Sequence, residues 1–214
     1  VRVVAELRPG AVGDDDELMR TVAFPVIVHE PRASIATVAP ARRRTLEVDG
    51  GNVIIPAFAV GRTQEVLFVL ADLVRAGRIA RLDVVVDSPM ASAVTALTVR
   101  HAALWDDETR ALYAWAEANS GRFRVRFVQD VEESKALNAV PGGLVVISAS
   151  GMCDAGRIKH HLRHNLGRRE CAVVIAGFQA AGTLGRRLVD GAHQVTLFGE
   201  RIPVRARIHT IGGL

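Results

Sequence analysis

Apolar positions come in short unbroken runs, each followed by a turn of small residues and a stretch with apolar residues at helical spacing. "NVIIPAFAV" (52–60) is apolar and β-branched. "GRTQEVLFVLADLVRAG" (61–77) follows it, with Val66, Leu67, Leu70, Leu73 and Val74 on one helical face and Gly77 placed for a C-terminal stop. The plan repeats in "LDVVVDSPM" (82–90), with "ASAVTALTVRHAALW" (91–105) behind it. A helix is predicted over 106–121, where leading acids suit the positive end of the helix dipole. "RFRVRFVQD" (122–130) alternates and reads as a strand with one wet face. "GLVVISAS" (143–150) and "CAVVIAGF" (171–178) read as buried strands, each leading into a helix-like segment. The last stretch, 193–211, centres a hairpin on "FGE", where Gly199 is free to take positive φ.

Strands alternating with helices imply parallel pairing through right-handed crossovers. Near-continuous apolar strands imply a sheet covered on both faces. The expected fold is therefore α/β: a three-layer α/β/α sandwich with a mostly parallel sheet and a small antiparallel exit hairpin. In such sheets ligands bind beyond the carboxyl ends of the strands. Four turns are expected to gather there, at residues 59–64, 87–92, 148–156 and 177–182.

Those turns hold the candidate chemistry. In the first, Gly61 permits a tight turn, Arg62 offers a fork of donors that matches phosphate, and Thr63 and Gln64 stand at a helix start. A surface arginine pairing with Glu65 beside a capped helix explains the same residues. In the second, Ser88 can cap and Pro89 suits a first helical position, so capping explains it as well as function does. In the third, Ser148 and Ser150 carry hydroxyls, Gly151 lets a ligand approach the backbone, Asp154 suits an N-cap for a helix beginning near Ala155, and Arg157 adds charge. His160 and His164 share a helical face, but no Asp, Glu or Cys at matching spacing completes a metal set. In the fourth, Gln179 is a polar reader between Gly177 and Gly182. No dinucleotide fingerprint, Walker lysine or nucleophile elbow is present.

Composition narrows the class. The 214 residues suffice for one large α/β domain, and 27 Lys+Arg against 23 Asp+Glu leave a formal charge of +4, a mild excess that suits a phosphate-bearing partner. Two unpaired-looking cysteines, Cys153 and Cys171, suit a reducing cytoplasm. No apolar run is long enough to cross a bilayer. The missing initial Met and the closing "HTIGGL" lead us to expect that both ends are cut.

Taken together, "IPAFAVGRTQEVLFVL", "VVVDSPMA", "VVISASGMCDAGRIKHHLRHNL", "VVIAGFQAAGTLGRRLVDG" and "RARIHTIGGL", in this order, resemble the β-CASP group of metallo-β-lactamase-fold proteins. These are RNA-processing nucleases such as RNase J and the mRNA 3′-end-processing endonuclease. The resemblance runs from about His29 to Leu214. It implies a β-CASP α/β domain over 29–192 and exit strands over 193–214 that lead back to a metallo-β-lactamase domain missing from this chain. Residues 1–28 are set apart as an unassigned or divergent segment, because "TVAFPVIV" stands where the family carries an acid and a Thr-Tyr-Gly-Asp-Arg-like stretch.

The implied function is the RNA-binding, active-site-covering portion of a zinc-dependent ribonuclease. Two zinc ions belong to the intact family and none is expected in this chain, which lacks the HxHxDH ligands and is expected to be inactive alone. Arg62 and Arg157 would contact phosphate, Ser88, Ser148, Ser150 and Gly151 would supply hydroxyl and backbone contacts, Thr63 and Gln64 would line the first turn, and Gln179 would read polar groups. RNA and the missing domain are the expected partners, a homodimer is open, and no membrane is expected. A free-standing, non-catalytic domain binding RNA or protein is the alternative.

Overall fold

The computed structural model describes residues 2–5, 44–47 and 50–211; the division drawn near residue 28 and the final "GGL" lie outside the described residues. Along the chain the elements are β1 (Arg2–Ala5), β2 (Arg44–Glu47), β3 (Val53–Pro56), α1 (Arg62–Arg75), β4 (Leu82–Val86), α2 (Pro89–Arg100), α3 (Asp107–Ala118) and β5 (Phe123–Phe127). Then come α4 (Val131–Leu137), β6 (Val145–Ser148), α5 (Ile158–Asn165), β7 (Ala172–Ile175), α6 (Leu184–Val189), β8 (Gln194–Leu197), β9 (Glu200–Pro203) and β10 (Arg207–Thr210).

Six strands form one sheet in the order β10-β7-β3-β6-β4-β5, and every neighbouring pair is parallel. The alternation of strand and helix has this result because each crossover returns the chain to the same end of the sheet. Strand side chains divide between two cores. Val53, Ile55, Val84, Val86, Val145 and Ile147 meet Val66, Leu70, Leu73 and Val74 of α1 and Leu112 of α3. On the opposite face Ile54, Val146, Val173 and Ile175 meet Ile158 and Leu162 of α5, Leu184 and Leu188 of α6, and Val195 and Leu197 of β8. Each such side chain contributes roughly 1.5–3 kcal/mol when fully buried. The edge strand β5 is mostly open, which accounts for its alternating pattern.

The hairpin β8–β9 is antiparallel and turns at Phe198 and Gly199, whose φ values of 51° and 79° fit a two-residue turn with both central residues left-handed. β10 closes one edge of the main sheet against β7. One expectation fails: α5 begins at Ile158, not near Ala155, and Asp154 does not cap it. Gly156 at φ 81° interrupts the helix, and Ile158 N–H reaches back to Ala149 O at 3.2 Å, closing a compact loop. Asp154 instead accepts from Leu184 N–H at the start of α6, at 2.9 Å. Helix α4 escaped the sequence reading. It is short and polar, and Asp130 caps it by accepting from Glu132 and Glu133 N–H at 2.8 and 3.0 Å.

Candidate nucleic-acid interface

All four predicted turns follow strands of the parallel sheet, so they emerge at its carboxyl end. Asp87, immediately after β4, ties three neighbouring elements to this rim. Its fully buried carboxylate accepts from Arg157 Nη1 at 2.7 Å, from Ser134 Oγ of α4 at 2.6 Å and from His161 Nε2 of α5 at 2.6 Å. Burial raises the carboxyl's pKa, but the hydrogen bonds from His161, Ser134 and Arg157, with the His161 charge, outweigh it and hold Asp87 below its ordinary value. The Asp87 carbonyl accepts from Ser148 Oγ at 2.8 Å, which joins the ends of β4 and β6.

The residues singled out from sequence divide between this internal scaffold and the rim's surface. Thr63 is buried and donates from Oγ1 to Phe58 O at 2.8 Å. Gln64 is buried and donates from Nε2 to Ala59 O and Thr95 Oγ1, at 3.2 and 2.8 Å. Ser88 caps α2, accepting from Ala91 N–H at 3.3 Å, with Pro89 as the first helical residue. Arg157 spends Nη1 on Asp87 and Nη2 on Gln129 O at 2.7 Å. Ser150 Oγ accepts from Ala155 N–H at 3.4 Å and is partly open. Gly151 lies under Phe58: a Cβ there would come within 2.8 Å of the ring. Gln179 is buried and donates from Nε2 to Gly151 O at 2.9 Å and Phe178 O at 3.0 Å, linking the third and fourth turns.

Arg62 is divided. Its Nη1 donates to Glu65 Oε2 at 2.7 Å, the ion pair that its sequence spacing allows. The opposite edge, Nε and Nη2, lies beside Gly177, 3.7 and 4.0 Å from where a Cβ on that glycine would sit. Those two nitrogens form the planar fork that grips a phosphate through two hydrogen bonds. Gly177 brings no side chain against that edge.

Sequence reasoning passed over two kinds of residue here. The first is the polar scaffold: Ser134 and His161 lie 47 and 74 residues from Asp87, and nothing local marks them as its partners. The second is a set of large apolar side chains just past the strands. Phe58 and Val60 follow β3, Met90 follows Asp87, and Phe178 follows β7; all are exposed. Their signal was in the segments "AFAV", "SPMA" and "AGFQ", where a large apolar residue stands in a turn or at the first turn of a helix.

The described residues do not fit the zinc pair that the family resemblance implies. Among them, no three of His, Cys, Asp and Glu stand together so as to hold a metal. Asp87 and His161 bind each other, with the cationic Arg157 against the same carboxylate. His160 stacks on Phe198 with ring centroids 4.5 Å apart. His164 is held below its ordinary pKa by burial and then by the neighbouring Arg163. Burial pushes the Cys153 thiol up to about 12, which removes it as a thiolate. Among the described residues, no helix is long and apolar enough to cross a membrane.

Comparison with known proteins matches this architecture to a family. The Beta-Casp domain family matches residues 63–188, the span from α1 to α6. The chain is 38% identical over 186 residues to Ribonuclease TTHA0252 of Thermus thermophilus, covering 86% of this chain and 42% of that protein. It is 28% identical over 194 residues to an RNase J-like protein of Methanocaldococcus jannaschii, covering 86% and 44%. It is 30% identical over 154 residues to transcription termination factor FttA of Methanosarcina mazei, covering 71% and 24%. The chain therefore spans less than half the length of these relatives. With the family match covering more than half of its residues and the expected parallel sheet beneath it, this chain belongs to the Beta-Casp domain family.

Proposed function

We propose that this chain is the RNA-binding, active-site-covering portion of a zinc-dependent ribonuclease that hydrolyses RNA phosphodiesters at a metal site outside the chain. The observation that carries this reading is the rim at the sheet's carboxyl end, where the Nε and Nη2 edge of Arg62 lies beside Gly177 and the next residue, Phe178, is exposed. The names of two relatives, a ribonuclease and an RNase J-like protein, support the same substrate class.

In this reading the chain binds and orients. Arg62 meets a phosphate through Nε and Nη2, and Glu65 holds the guanidinium by its other nitrogen. Ser150 and the Gly151 backbone line the same rim, while Thr63, Gln64, Ser88, Ser148, Arg157 and Gln179 fix the turns from beneath. Two metal ions would supply the hydrolytic chemistry by holding the attacking and leaving oxygens. Their ligands are assigned to residues outside this chain, and the metallo-β-lactamase domain that bears them is the proposed neighbour. A cytoplasmic setting belongs to the same reading, since Cys153 and Cys171 are free thiols.

The test is a cleavage assay on labelled single-stranded RNA with the purified chain, in zinc or manganese, with and without chelator. The expected result is intact RNA under every condition. Metal-dependent cleavage that the chelator abolishes contradicts the placement of the metal site.

A further inference from the structure

Two aromatic side chains on the rim are open to solvent. Phe178 is 77% exposed and Phe58 is 47% exposed. Large exposed aromatics add little to stability and point to an interaction surface when they cluster. Both sit on backbone that is firmly held. The Phe58 carbonyl accepts from Thr63 Oγ1 at 2.8 Å and from Thr63 N–H at 3.1 Å. The Phe178 carbonyl accepts from Gln179 Nε2 at 3.0 Å, and the same nitrogen donates to Gly151 O at 2.9 Å. Thr63 and Gln179 are 1% and 7% exposed, so each anchor is itself buried. The Phe58 ring lies against Gly151, where any side chain would collide with it. Three turns thus meet at Gly151: the Phe58 ring packs on it, and Gln179, next to Phe178, donates to its carbonyl. The Nε and Nη2 edge of the Arg62 guanidinium lies beside Gly177, the residue before Phe178.

We infer that Phe178 and Phe58 are stacking surfaces for the bases of single-stranded RNA, with Arg62 gripping a phosphate of the same strand. The inference rests on the RNA-binding reading above and adds base contact to it. The pairing of exposed rings with a neighbouring cation is what single-stranded nucleic acid uses: every base has a π-face to lay on a ring, and the backbone needs positive charge. Anchoring the rings in advance lowers the ordering cost of binding. A protein partner could also bury exposed Phe, but the phosphate fork beside the rings favours the nucleic acid.

Fluorescence anisotropy with a labelled ten-nucleotide oligoadenylate tests this, alongside an abasic ribose-phosphate strand of equal length. Phe178→Ala, Phe178→Trp and Phe58→Ala are compared with the unaltered 214-residue chain. Phe178→Ala is expected to weaken oligoadenylate binding by roughly 5- to 150-fold, the loss of one stacked base. Its melting temperature and salt slope should not change, because no core contact and no phosphate contact is removed. Phe178→Trp should bind as well as the unaltered chain, and the abasic strand should not distinguish Phe178→Ala from it. Salt-sensitive RNA binding that Phe178→Ala leaves unchanged overturns the stacking role and leaves the RNA reading standing. That is also the outcome if the rings dock a protein. No RNA binding by the unaltered chain overturns both.

Discussion

Asp87 concentrates more of the rim's internal order than any basic residue does. Its buried carboxylate takes hydrogen bonds from Arg157, Ser134 and His161. Asp87→Asn removes the charge and turns one of the two accepting oxygens into an NH2 donor that faces these donors, and breaking such a buried pair costs about 3–5 kcal/mol. Chemical denaturation at pH 7 should read that loss. The pH dependence follows from the lowered carboxyl pKa. Unfolded Asp87 takes up its proton near 3.8, and the folded carboxyl does so only at lower pH. Its stabilisation is therefore present above that ordinary value and is lost as pH falls through the folded one. The gap between wild type and Asp87→Asn should narrow as pH falls below about 3.8; a gap unchanged from about pH 4.5 down to about pH 2 would show the carboxyl unshifted.

Arg62 behaves oppositely, because its ion pair with Glu65 is local, three residues apart at the partly exposed start of α1. Pairs at that spacing contribute roughly 0.2–0.5 kcal/mol, so Arg62→Ala should barely move a thermal melt. It should weaken RNA binding across sequences and reduce the log–log salt slope by about 0.7, the loss of one phosphate contact on a single strand. Arg62→Lys should recover only part, keeping the charge without the planar fork. Of these residues, the Ser88 cap and the Arg62–Glu65 pair were legible in sequence because their partners lie within three positions. Arg157 was not: its partner is 70 residues away, and the same guanidinium reads equally well as a phosphate ligand. His161 was indistinguishable from His160 and His164 until the fold turned it toward Asp87.

At the scale of elements, long runs were legible and loops with long-range partners were not. β3, α1 and β4 follow their apolar runs and periods, and α3 follows its leading acids. The hairpin at Phe198–Gly199 follows its turn chemistry. The late start of α5 was not legible, because Asp154 looks like a local cap and the demand for it comes from α6. Two glycines separate the causes at work. Gly199 has φ 79° and open space around it, so Gly199→Ala meets only backbone strain, about 1–2 kcal/mol, with RNA binding unchanged. Gly151 is limited by space: a Cβ would lie 2.8 Å from the Phe58 ring and 3.0 Å from its backbone nitrogen. Gly151→Ala should cost about 1–3 kcal/mol as overpacking and also weaken RNA binding, because the turn that carries Phe58 must move. Equal RNA affinity in the two variants would count against Gly151 lying on the rim. Melting curves and binding titrations on both check this.

On the scale of the whole molecule, strand–helix alternation was enough to predict a parallel sheet with its turns gathered at one end. Strand order was beyond it, since β6 inserts between β3 and β4 by pairing that leaves no trace in the run lengths. The order matters, because it sets Ser148 beside Asp87 and the fourth turn beside the first. This end of the sheet is the proposed binding surface for the phosphates of single-stranded RNA. The most direct measurement is the affinity of the 214-residue chain for a short oligoribonucleotide across a series of salt concentrations. Binding at low salt should fall linearly on logarithmic axes, with a slope of about 0.7 for each phosphate engaged. Absent binding at low salt, or an affinity that salt does not change, would contradict it.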